Sequence, residues 1–114
     1  MIDYTAFNNV KSLMKDKFPQ LLEIYLRDTN NYLEHINNQD CMDTLVKAAH
    51  GMKSTSGSMG LTEVRQEAEK LEYMARQGSA SPDELITQSQ TLANALKEAE
   101  KFIKAELENF DTGE

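Results

Sequence analysis

The sequence predicts an all-α protein: an up-and-down antiparallel four-helix bundle with a short additional helix at its N-terminus. Three observations carry this. Apolar residues recur at three- and four-residue steps along most of the chain. No segment alternates with the period of two that a half-buried strand needs. The breaks between stripes carry helix-start and helix-stop chemistry.

In the first element Phe7, Val10, Leu13 and Met14 form a short stripe, expected to cap one end of the bundle. Pro19 fits the first turn of a second helix, where its missing N–H costs nothing. Phe18, Leu22, Tyr25, Thr29, Leu33 and Ile36 then keep helical spacing, so that helix should run to about Ile36. Asn37-Asn38-Gln39-Asp40 reads as the turn that ends it. A third stripe starts near Asp43, with Leu45, Ala49, Met52, Ser56 and Met59 on one face, and a fourth follows Gly60 through Leu61, Val64, Ala68, Leu71 and Met74. Gly78 supplies the fourth helix's stop. Ser81-Pro82-Asp83-Glu84 is a capping box, with Pro at N1 and acids at the positive end of the helix dipole. From there Leu85, Ser89, Leu92, Leu96, Ala99, Ile103 and Phe110 hold a spacing near 3.5, broken at Glu106, which suits near-parallel bundle packing. Residues 111–114 are expected to fray.

The chain has 114 residues, 39% of them hydrophobic and 27% charged, with a net charge of −7. That length suits one domain over residues 1–114, burying roughly 65% of the unfolded surface. No apolar run is long enough to span a membrane, and MIDYTAFNN has neither the basic nor the apolar part of a secretory signal. Cys41 is the single cysteine, which fits a reducing, cytoplasmic setting. The net negative charge argues against nucleic acid as a partner. No Glu-x-x-His pair and no cysteine–histidine ligand spacing occurs, so neither metal nor cofactor is expected. His35, near the end of the second helix, reads as structural.

The third helix is where local propensity and fold disagree. Its second half, Gly51-Met52-Lys53-Ser54-Thr55-Ser56-Gly57-Ser58-Met59-Gly60, concentrates glycine and serine, and each helical Gly costs about 1 kcal/mol relative to Ala. Such a cost is tolerated where small side chains serve another purpose. All nineteen acids lie outside residues 44–62, whereas Lys47, His50 and Lys53 lie inside. This leaves a helical face able to accept an anion. At 100° per residue His50 falls about 140° from the apolar face, beside Val46, Lys53, Ser54 and Gly57. An imidazole there stands in solvent above small residues. A solvated histidine is the ordinary explanation of such a position; the acid-free window, Lys53 and the small residues favour function. Neutral imidazole attacks phosphorus readily and passes the group on, and a cation one turn away can hold the phosphoryl oxygens. The like charge of Lys53 should help keep His50 neutral. With no Mg²⁺ box and no nucleotide loop, the chain should carry phosphoryl without taking it from ATP: a stoichiometric intermediate, not an enzyme.

The run from Ala49 to Leu61 resembles the signature of histidine-containing phosphotransfer (HPt) domains: His, Lys at +3, small residues at +5 to +7, Gly at +10. Phe18-Pro19-Gln20-Leu21-Leu22-Glu23-Ile24-Tyr25-Leu26 resembles the opening of the family's second helix. The resemblance implies a four-helix bundle that accepts phosphoryl on His50 from a receiver-domain aspartyl phosphate and passes it to another receiver. The implied partners are response-regulator receiver domains and/or a hybrid sensor histidine kinase. It further implies that Lys53 stabilises the phosphoryl group, that Gly57 and Gly60 occupy the family's small-residue positions, and that Glu72, at +22, lies near the histidine. Ser54 stands where the family usually has Gly, which narrows the approach. Ser54, Gly57, Gly60 and Val46 are thus candidates for a clearing in which a partner docks. Ile24 either joins that docking patch or packs on the first helix. The alternative reading is an adaptor of the same shape that binds a receiver or kinase without being phosphorylated. The initiating Met and complete bundle favour a free-standing protein, and a monomer is expected.

Overall fold

The structure, a computed structural model, describes residues 2–38 and 41–112. Among the described residues five α-helices follow one another: α1 (Tyr4–Met14), α2 (Phe18–Asn38), α3 (Met42–Ser58), α4 (Thr62–Gln77) and α5 (Pro82–Thr112), with one 3₁₀ turn, Lys15–Lys17, between α1 and α2. Helices α2 to α5 form the four-helix bundle, in which α3 packs on α4, α4 on α5, and α2 on both α3 and α5. The long axis of 50 Å belongs to α5, whose 31 residues at about 1.5 Å each span nearly that length.

The stripes read from the sequence meet along the bundle axis. Leu22, Tyr25, Ile36, Leu45, Met52, Leu71, Leu92, Leu96 and Ile103 are essentially inaccessible to solvent. The capping box forms reciprocally, Ser81 N–H donating to Glu84 Oε1 at 2.8 Å and Glu84 N–H to Ser81 Oγ at 3.2 Å. Gly78 takes the left-handed φ of 69° that ends α4, its N–H donating to the Met74 carbonyl.

Several expectations need correction. Helix α2 continues through Asn37 and Asn38, while Gln39 and Asp40 lie outside the described residues. Helix α5 extends to Thr112; of the end expected to fray, Gly113 and Glu114 lie outside the described residues. Leu13, placed on the stripe of α1, is 80% exposed. Helix α1 buries Phe7 edge-on against Phe18 and Phe102, at ring distances of 5.3 and 4.9 Å. The chain then breaks at Lys15, whose φ of 52° ends α1 just after Leu13.

Gly60 is the hinge that seats α1. It is buried with a φ of 77°, and a Cβ there would lie 2.5 Å from the Asp3 carbonyl oxygen. The gap is closed by Asp3 N–H donating to the Gly60 carbonyl at 2.7 Å. Asp3 in turn caps α1 by accepting from Ala6 N–H.

Candidate functional site

The Gly/Ser-rich half of α3 is helical through Ser58, as its unbroken apolar phase predicts. Its small residues answer to neighbouring helices. A Cβ on Gly51 would meet the Tyr32 ring at 2.6 Å, and one on Gly57 would meet Arg65 Cδ at 2.9 Å. Ser56 faces inward, its Oγ sharing a 2.8 Å hydrogen bond with the Tyr25 hydroxyl. Burial, opposed in part by that bond, raises the Tyr25 phenol well above its usual range. The propensity cost therefore permits close approach of α2 and α4 to α3. Of the residues expected to form a clearing, Val46 and Gly57 are half-buried, Gly60 is buried and Ser54 is exposed. Gly57 lies under the Arg65 stem, and Gly60 is inside the α3–α4 turn.

His50 stands outward from α3 with its side chain 55% exposed. Its Nδ1 lies 2.9 Å from Oε2 of Glu72, which α4 presents with only 7% of the side chain exposed. Lys53 Nζ lies 2.8 Å from the other oxygen, Oε1. Arg76, one turn after Glu72, donates to Oε2 from Nη2 at 2.8 Å and from Nε at 3.0 Å. Burial by itself would push the Glu72 carboxyl up. The hydrogen bonds from Lys53, Arg76 and His50, with the Lys53 charge, outweigh it and hold the carboxyl at about 2.

A group ionised at neutral pH only accepts, so His50 Nδ1 carries the proton of this hydrogen bond. In the neutral ring the lone pair is then on Nε2, the nitrogen without this contact. The ring is oriented and its tautomer fixed by a single carboxylate.

This arrangement revises the charge picture. Residues 44–62 lack acids in sequence, yet α4 brings a carboxylate against the histidine. The charge that His50 touches is negative, where Lys53 had been expected to set the field. Lys53 itself is 27% exposed and turned to Glu72, not free in solvent. Val46 is half-buried and lines an open groove with Met42, Asp43, Ala75 and Arg76 beside the histidine. Ile24 is half-buried on α2. Arg76 was not among the expected site residues, although Glu72 and Arg76 at i and i+4 are a legible helical ion pair. Among the described residues, no group of three or more His, Cys, Asp or Glu side chains is placed to hold a metal ion. None of their helices is long and apolar enough to cross a membrane.

A bundle presenting a half-exposed, carboxylate-oriented histidine from mid-helix defines a class. The Hpt domain family model matches residues 20–111, and the chain belongs to that family of histidine phosphotransfer carriers in phosphorelays. The fold is similar to the crystal structure of histidine-containing phosphotransfer protein B (HptB) from Pseudomonas aeruginosa PAO1, with a TM-score of 0.88 and 20% identity over 95% of each chain. No match is found among curated proteins.

Proposed function

We propose that residues 1–114 act as a single carrier domain in the cytoplasm, and that His50 accepts phosphoryl from a receiver-domain aspartyl phosphate and delivers it to another receiver. The observation that carries this reading is the 2.9 Å contact between His50 Nδ1 and Glu72 Oε2, which leaves Nε2 as the nucleophile. In the forward step the Nε2 lone pair forms the N–P bond as the P–O bond to the aspartyl oxygen breaks. The donor leaves as a carboxylate. The Nδ1 proton stays where it is, and Glu72 balances the positive charge that develops on the ring. Lys53, whose flexible stem ends one turn along α3, neutralises phosphoryl oxygens as they arrive. The return step is the reverse, with a second receiver's carboxylate as acceptor.

The docking face is the outward side of α3 around Ser54, continued by the Val46 groove. The test is radiolabelled transfer from a phosphorylated receiver. An acid-labile, alkali-stable label is expected on wild type and absent from His50→Gln. Label retained by His50→Gln overturns the assignment, and receiver binding without label on wild type favours the adaptor instead.

A further inference from the structure

Two cations share one buried carboxylate at this site, and the phosphoryl chemistry described above employs only one of them. Lys53 holds Oε1 of Glu72, while Arg76 holds Oε2 through two nitrogens. To turn fully to an incoming phosphoryl group, the Lys53 ammonium has to loosen its hold on Oε1. A carboxylate with 7% exposure is costly to strip of its counter-ion, because little water reaches it to replace the lost charge. Were Lys53 the only cation, Glu72 would compete with the phosphoryl oxygens for it.

We infer that Arg76 is a positioning residue for phosphoryl transfer: it keeps Glu72 charge-balanced and so releases Lys53 to the phosphoryl group on His50. The inference rests on the reading of His50 as phosphoacceptor. Arginine suits the role. Its guanidinium is always charged, and its Nε and Nη2 both reach the one oxygen that His50 also uses. Its side chain, 57% exposed, sits at the protein surface, where its removal spares the core. The same contact holds Glu72 in place beneath the imidazole when Lys53 has moved away.

The probe is phosphoramidate, which needs no receiver. The His50 Nε2 lone pair forms the N–P bond, the donor's P–N bond breaks, and the leaving nitrogen departs as ammonia with the three protons it already carries. Phosphohistidine formation is followed by ³¹P NMR on the full chain. Arg76→Gln is expected to slow acquisition roughly fivefold, the scale of one partly exposed charged contact, and Arg76→Lys to recover most of the rate. In a Lys53→Ala background, Arg76→Gln should change the rate little, since no ammonium remains to be released. Thermal unfolding of each variant shows that it is folded.

An Arg76→Gln rate equal to wild type overturns the inference. An equal slowing with and without Lys53 overturns it too, because Arg76 would then act on something other than Lys53. If wild type takes phosphoryl on His50 neither from phosphoramidate nor from a phosphorylated receiver, the proposed function falls and this inference with it; phosphohistidine on His50 with Arg76→Gln unaffected removes the inference alone.

Discussion

Glu72 joins fold and site, and its ionisation gives a measurable quantity. Its carboxyl is lowered from 4.5 to about 2. At 1.36 kcal/mol per unit, that difference corresponds to roughly 3 kcal/mol of folding stability at neutral pH. A depressed folded-state value means this contribution is fully present above about pH 5 and is lost as pH falls through the folded value. Linkage leaves about 1 kcal/mol of it at pH 3 and less at pH 2. Glu72→Gln removes the titrating group while keeping its size and one acceptor oxygen. Urea unfolding of wild type and Glu72→Gln, each at pH 7 and pH 3, isolates Glu72 from the other acids, which titrate in both proteins. The stability advantage of wild type should shrink by about 2 kcal/mol on acidification. An advantage that stays constant between the two pH values would refute the electrostatic account of the cluster.

Lys53→Ala should lower stability by about 1 kcal/mol, seen as a melting shift of roughly 4 °C, because it strips one partner from a buried carboxylate; no shift would mean the Lys53–Glu72 contact is energetically idle. Gly60→Ala should cost about 2–4 kcal/mol, since a Cβ must meet the Asp3 carbonyl at a φ of 77°; a melting temperature equal to wild type would show that α1 does not depend on this turn. Ser81→Ala should cost about 1 kcal/mol through loss of the capping box, read by urea unfolding, and an unchanged midpoint would contradict that value.

The secondary structure was legible because each signal is local. Ser81 and Glu84 lie close enough in the chain to cap each other in any context, and Gly78 can stop a helix wherever the chain goes next. The outward placement of His50 followed from angular arithmetic on one helix and is what the structure shows. Leu13 lies in solvent despite its stripe for the complementary reason. A stripe states which face is apolar, not whether a partner reaches it, and the break at Lys15 is marked by neither Gly nor Pro.

The sequence by itself determined where the helices lie, which face of each is apolar, and that His50 stands outward, since those follow from periodicity and residue type. Only the tertiary structure decided what Gly51 and Gly57 pack against and how Glu72, expected near His50 from the family resemblance alone, is shared among His50, Lys53 and Arg76. Gly51 and Gly57 answer to Tyr32 and Arg65, which come from other helices. A segment free of acids along the chain has one delivered from α4, 22 positions away, together with Arg76. Electrostatic fields and steric contacts depend on distance in space. Chain order fixes that distance within a helix, and packing fixes it between helices.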